Sequence, residues 1–511
     1  MRAGFVIRLV YWTVFVLAAG LKAAPSPLAD AAMNRDHAKI RQLLGQNADV
    51  NAAQVDGTTA LTWAARANDP ELVDLLLAAG ANARAQNLDG ATALYEASVS
   101  GNAAIVKSLL KAGADVNGTF LSTGETALME ASRTGSIQAI QVLVEHGADV
   151  NAKETLRGTT ALMWAAAEGH SEAIQVLIRA GAEVNAQSRK EKAAAYGTAG
   201  PAAKLPEGLE TGGLTALLYA VREGSLPSVQ TLLDSHADVN QASGDGSSPL
   251  LVAVLNGRYD IARYLIDRGA NVKAANRKGW TPLYLAVKHR TYETGTMPVP
   301  PNADQALDFI KLILERGAEV NPRLAYETQV HVGSHVIWLK EEGATPFFRA
   351  AFGGDAEVMR LLLAHDADPQ IATKDHTTPL MALAGVGFVL GLVQHRSHAE
   401  DMDALRLLLD SGADVNAVNE QGLTALMGAA HRGANEELAV LVDHGAKLDA
   451  RDKGTYCGDA VRRTCAGRPL LALDFAKGVA VTVEAPVNRP ETSALIKNLM
   501  KAKGIAIPEE D

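Results

Sequence analysis

The chain has 511 residues, with 48 lysines and arginines against 58 aspartates and glutamates, a formal net charge of −10. Length alone would suggest about three globular domains. No basic stripe is evident, which argues against a nucleic-acid partner, because phosphate binding needs clustered Lys and Arg.

Residues 1–24 open with Arg2 and Arg8 beside an apolar run from Leu9 to Gly20, followed by Ala23 and Ala24 ahead of Pro25. A charged start, a short apolar stretch and small residues form the pattern of a secretory signal peptide. The apolar run is short of the roughly 20 residues that span a bilayer. The rival reading is an uncleaved N-terminal membrane anchor. Leu21 stands where a lipidated protein would carry cysteine. The expectation is a periplasmic or secreted, monomeric protein with no stable membrane insertion after cleavage.

From residue 26 onward one unit recurs, best seen in GTTALMWAAAEGHSEAIQVLIRAGAEVNA at 158–186. Thr160 is a candidate N-cap, since its hydroxyl can accept an unpaired first-turn N–H. Leu162, Ala165 and Ala166 share one helix face at i, i+3, i+4. Ile174, Leu177 and Ile178 mark a second short helix, which Gly181 ends in the left-handed conformation. Helices of three turns or fewer are marginal alone, so the unit needs neighbours. Leu28, Leu61, Leu94, Leu128, Leu162, Leu217, Leu250, Leu283, Phe347, Leu380 and Leu426 hold one equivalent position, the uninterrupted steps being 33 or 34 residues. A second landmark recurs as GADVN at 113, 147 and 412 and GAEVN at 181 and 317.

A period near 33 with two short helices per unit resembles the ankyrin repeat. The resemblance covers roughly residues 26 to 503 and implies an all-α solenoid of about 11–12 helix–turn–helix repeats. The family usually writes T-P-L-H at the start of its first helix. Here the fourth position is Thr62, Tyr95, Met129, Met163, Leu218, Leu251, Tyr284, Phe348, Met381 or Met427, never histidine. Apolar packing must therefore replace the tie that the histidine makes.

Six insertions interrupt the expected solenoid of 25–503, and 504–511 forms a tail. Residues 187–212, between repeats, read as a flexible finger. Residues 291–303 lie within a repeat, and Pro298, Pro300 and Pro301 rule out helix there. Residues 322–343 suggest a β-hairpin turning at Gly333-Ser334. That register points His331 and His335 to opposite faces, against a shared metal. Residues 384–401 hold an apolar stretch, 384–393, either tucked away or a partner patch, then a solvated loop with His395, His398, Glu400 and Asp401. Residues 452–468 hold the two cysteines, Cys457 and Cys465. A disulfide is the favoured reading in an exported chain, with free thiols or half a metal site as alternatives. Residues 478–490 interrupt the last repeat.

No nucleophile elbow, P-loop, H-E-x-x-H, paired C-x-x-C or kinase-type set is present, so the expectation is no enzyme and no cofactor. The resemblance implies a protein–protein scaffold that binds through projecting turns and the exposed end of each first helix. Candidate contacts are Arg66, Arg133, Arg222, His289, Phe352, His431 and Arg432 on first helices, and Arg277, Lys278 and Trp280 at a turn tip. Trp280 is either an exposed hot spot or packed on the next turn. Trp63 and Trp164 read as interhelix packing. Because insertions concentrate in the C-terminal half, the partner site is expected within 270–410. The alternative function is a holder of a small ligand, metal or cofactor built on the insertions.

Overall fold

The computed structural model describes residues 26–120, 122–192, 210–290, 303–326, 339–387, 397–454, 469–478 and 487–508. The signal-peptide segment, the hairpin expected at 330–338, His395 and the Cys457–Cys465 pair lie outside them. Among the described residues there are 24 helices and one two-stranded sheet. The helices form pairs: α1 (Pro27–Met33) with α2 (His37–Gly45), α3 (Ala60–Arg66) with α4 (Pro70–Ala78), α5 (Ala93–Val99) with α6 (Ala103–Lys111), and α7 (Ala127–Thr134) with α8 (Ile137–Glu145). Next come α9 (Ala161–Ala167) and α10 (Ser171–Arg179), then strands β1 (Lys190–Lys192) and β2 (Glu210–Gly212). The pairs continue as α11 (Ala216–Glu223) with α12 (Leu226–Asp234), α13 (Pro249–Leu255) with α14 (Tyr259–Asp267), and α15 (Pro282–Arg290) with α16 (Ala303–Glu315). The last are α17 (Pro346–Phe352) with α18 (Ala356–Leu363), α19 (Pro379–Ala384) with α20 (His398–Asp410), α21 (Ala425–Arg432) with α22 (Asn435–Asp443), and α23 (Ala472–Gly478) with α24 (Pro490–Ala502). The chain divides into two compact units, Met1–Ala165 with Gln175–Ala182, and Ala166–Ile174 with Glu183–Asp511. They are called the first and second unit below.

The leucine ladder is the core of both units. All eleven residues at that position, from Leu28 to Leu426, are at most 1% exposed. Each such side chain contributes roughly 1.5–3 kcal/mol by leaving water. The fourth-position residues Met129, Met163, Leu218, Leu251, Tyr284, Phe348, Met381 and Met427 are buried as well, so apolar packing does replace the missing histidine. First helices from α3 to α21 start at the expected cap, as where Thr92 Oγ1 accepts the Tyr95 N–H at 3.0 Å and Thr160 Oγ1 that of Met163 at 3.4 Å, whereas Ser26 before α1 makes no side-chain cap bond.

The asparagine of the GADVN landmark ties repeat to repeat. Asn117 donates to the Gly147 carbonyl at 3.1 Å and accepts the Asp149 N–H at 2.8 Å, and Asn151 donates to the Gly181 carbonyl at 3.0 Å. In the second unit Asn240 reaches the Gly269 carbonyl and Asn416 the Gly445 carbonyl in the same way. The landmark's glycines take positive φ, as at Gly181 (94°). Where the sequence writes Asn47, His236 or Asp366 instead, the residue still takes φ of 58–66°.

The insertions differ from expectation in two places. Residues 187–212 have a paired stem, with Glu191 opposite Thr211 in the β1–β2 ladder. A Cβ on Gly212 would lie 2.0 Å from the Arg189 carbonyl oxygen, so only glycine fits that closure. Within-repeat insertions feed the helix that follows. Helices α16, α20 and α24 each have 13 residues, about one turn more than the usual nine. Residues 398–401, expected as loop, are the first turn of α20, closed by a capping box between Ser397 and Glu400.

Candidate protein-binding face

The fourth residue after each first-helix cap changes character along the chain. In the first unit this position holds Trp63, Glu96, Glu130 and Trp164. Trp63 donates its indole N–H to Gln54 at 2.8 Å, and Trp164 donates to Thr159 at 2.8 Å. Both rings are half-buried. They therefore flank the turns and are not the interhelix packing expected of them. The Arg66 guanidinium lies 4.9 Å from the Trp63 ring centroid and pairs with Glu96 at 2.6 Å. One repeat on, Tyr95 stacks on Phe120 with centroids 5.1 Å apart. The Tyr95 hydroxyl sits 3.1 Å from Glu125 and 3.3 Å from Glu130, and Arg133 pairs with Glu130. The turn tips beside this face expose Val55, Leu88 and Leu156 at 77, 74 and 57%. Backbone bonds hold these tips in register, from Leu88 N–H to the Asp56 carbonyl and from Thr155 N–H to the Thr123 carbonyl.

In the second unit the same position becomes closed. From α15 on it holds Leu285, Arg349, Ala382 and Gly428, all buried. The arms of the 322–343 insertion cover this face. Leu324, Leu339 and Ala344 form one apolar cluster with Tyr284, Phe348, Phe352 and Ala382, and Trp280 packs against it. Residues 384–387 join them, with Ala384 and Val386 buried. A Cβ on Gly428 would lie 2.7 Å from the Val386 nitrogen, and one on Gly387 would lie 2.5 Å from the Leu339 Cβ. The start of the apolar stretch is thus tucked in; residues 388–393 lie outside the described residues.

Several expected contact residues are consequently interior. Phe352, expected at an exposed helix end, is 1% exposed beneath this cover. His289, expected on the surface, is 3% exposed, with its Nδ1 2.7 Å from the Tyr259 hydroxyl. It lies beside Tyr259 of α14, whose ring sits 5.3 Å from that of Phe309 in α16 at a 44° tilt. Arg432 reaches Asp401, Glu437 and the Leu383 carbonyl. His431 is half-buried beside Arg489, and burial followed by that charge pushes it down to about 4. Arg66 and Arg222 remain exposed, Arg222 over the Tyr219 ring at 5.0 Å, and Arg133 is half-buried. Arg277 is exposed and 3.4 Å from Glu210 of β2, while Lys278 lies 5.0 Å from the Trp280 ring. Trp280 is half-buried on its cluster, the packed reading rather than the exposed one.

Burial also sets a pH response. Desolvation, then the Lys288 charge, lowers His289 to about 4, against about 6.5 in an unfolded chain. Between those values the unfolded chain binds more protons. The stabilisation is present above pH 6.5 and lost as pH falls through 4, up to about 3 kcal/mol in all. A urea series on the full chain at pH 7 to 4 is expected to show stability of the second unit falling, and His289→Phe is expected to flatten that slope partly. His431, lowered to about 4 as well, contributes in the same direction. An unchanged slope in the variant would sink this assignment.

Among the described residues no group of three or more His, Cys, Asp or Glu side chains is placed to hold a metal. His398 spends its ring between Glu436 at 2.9 Å and Glu437 at 3.5 Å, the Glu436 bond raising its pKa first. No described helix is long and apolar enough to cross a membrane.

Paired short helices, capped first helices and asparagine-linked turns define a repeat scaffold that presents a face. The chain belongs to the ankyrin-repeat family. The family model for three-copy ankyrin repeats matches residues 28–120, 118–188 and 217–323; a many-copy model matches 393–442 and a single-repeat model 342–374. The chain is similar to Ankyrin repeat and KH domain-containing protein 1 of Homo sapiens, 38% identical over 106 residues. It is also similar to Ankyrin repeat and KH domain-containing protein mask-1 of Caenorhabditis elegans, 35% identical over 106 residues. Each match covers 20% of this chain and 4% of the relative's length. Ankyrin repeats are a protein–protein interaction module.

The sequence reading missed Tyr95, Phe120, Glu125 and Glu130. A signal existed for one of them: Glu130, with Trp63, Glu96 and Trp164, recurs four residues after a threonine cap, where the second unit writes Leu285, Ala382 or Gly428.

Proposed function

We propose that this chain is a non-catalytic, exported scaffold that grips a protein partner on the helix–turn face of its first unit. The observation that carries this reading is the contrast at one repeat position, aromatic and only half-buried at Trp63 and Trp164 but buried from Leu285 to Gly428. Aromatic and arginine side chains are the groups that anchor interfaces most often. The reading moves the partner site away from 270–410, because there the insertions occupy the face themselves. Export rests on the pattern of residues 1–24 alone.

The test is capture from the cell-envelope fraction with the full chain, beside Trp63→Ala/Trp164→Ala and a chain lacking 327–338. The double variant is expected to lose the partner, and the deletion to keep it. The opposite result would return the site to the insertions.

A further inference from the structure

The face is acidic as well as aromatic, and the two properties meet at one place. Around Arg66 stand Glu96, Asp56 and Asp89, all of which hold its guanidinium charged. Around Tyr95 stand Glu125 and Glu130. Five carboxylates thus share the described face with Arg66 and Arg133. The Tyr95 hydroxyl has one hydrogen and two carboxylates within reach, so it can satisfy only one at a time. Burial, Glu130 and Glu125 together push its ionisation far upward. Glu130 is 2% exposed, and burial raises its carboxyl while Arg133 pulls it back and Glu125 raises it further. Arg133 already holds Glu130, so the half-buried Glu125 is the carboxylate left for a cation, beside the stacked Tyr95–Phe120 rings. The arrangement supplies what a cation needs: negative charge at close range and aromatic faces for its stem. The exposed Val55, Leu88 and Leu156 in the same row supply apolar contacts along a chain.

We propose that the occupant of this face is a polypeptide segment in which a lysine or arginine, set among apolar residues, lodges its cationic head against Glu125 beside Tyr95 and Phe120. This rests on the reading of the first unit as the binding face. Charge complementarity chooses the partner: Arg133 already pairs with the buried Glu130, whereas the half-buried Glu125 has no ion pair among the described residues, and a cation supplies one. The turn tips offer Val55, Leu88 and Leu156 as apolar contacts for the segment's other side chains.

The test is a random dodecapeptide library displayed on phage and panned on the full-length protein. Peptides retained are expected to be enriched in Lys or Arg with apolar neighbours, and retention to fall as salt rises. With Glu125→Gln, whose isosteric amide removes that charge, affinity for those peptides is expected to drop about tenfold, and the basic enrichment to shrink. Enrichment without basic residues, or basic peptides indifferent to Glu125→Gln, would overturn the cation proposal and leave the binding face standing, provided Trp63→Ala/Trp164→Ala abolishes retention. Retention of nothing above bead background, or retention indifferent to the tryptophan pair, would overturn both.

Discussion

Asp355→Ala is expected to destabilise the region around α15 and α18 by about 3–5 kcal/mol, the cost of breaking a buried ion pair from one side. The Asp355 side chain is 1% exposed and accepts from Arg290 Nε at 2.9 Å, with Arg290 itself 3% exposed. The same carboxylate caps α18 by accepting the Val358 N–H at 3.2 Å. Losing a cap alone costs about 1 kcal/mol. After truncation the buried guanidinium keeps Glu357, which is 56% exposed and a weaker counter-charge. Repeat arrays lose stability locally, so hydrogen exchange is the suitable measurement. Amides of α15 and α18 are expected to lose at least about a hundredfold in protection, and those of α3 to α6 to keep theirs. Asp355→Asn, which keeps a cap acceptor but no charge, is expected to fall between. Unaltered protection in α15 and α18 with Asp355→Ala would remove the ion pair from the account of what closes this region.

Most of the frame was legible because it depends on local rules repeated many times. The leucine at Leu28 through Leu426 must be buried in every repeat, and the threonine before it must cap, so both show as period. The landmark asparagines were legible as a marker but not as chemistry. Asn117 and Asn151 act across about 30 residues, and nothing in a linear reading says where their amides go. The site was read least well, for a physical reason. Decoration in the C-terminal half suggested a partner surface there, but an insertion can bury a helix face as readily as it can extend one. Leu324 and Leu339, at the two ends of one insertion, fold onto Phe348 and Phe352 and take the place a partner would use. The plain repeats, which carry no decoration, keep their Trp63 and Tyr95 within reach of solvent. That distinction needs three-dimensional packing.

The polar groups sealed under this cover raise the second large expectation, at Arg432. Its guanidinium donates to Asp401, to Glu437 at 3.1 Å and to the Leu383 carbonyl at 2.9 Å. The Asp401 and Glu437 side chains are 3 and 4% exposed. One cation thus joins the end of α19, the added first turn of α20 and the first turn of α22. Arg432→Met keeps much of the stem's apolar contact but takes the guanidinium charge from two buried carboxylates, at an expected cost of about 3–5 kcal/mol. Arg432→Lys is expected to recover only part of this, since an ammonium lacks the planar fork that reaches three acceptors. The comparison that isolates charge from packing is the triple variant Arg432→Met/Asp401→Leu/Glu437→Met. With all three groups apolar, no buried charge is stranded, and stability is expected to return toward that of the unaltered chain. Urea unfolding read by helical circular dichroism would measure all three. If Arg432→Met alone unfolded at the unaltered midpoint, the guanidinium would be only a surface ornament, and the lengthened α20 would have to be held by its apolar residues Leu405 and Leu408 instead.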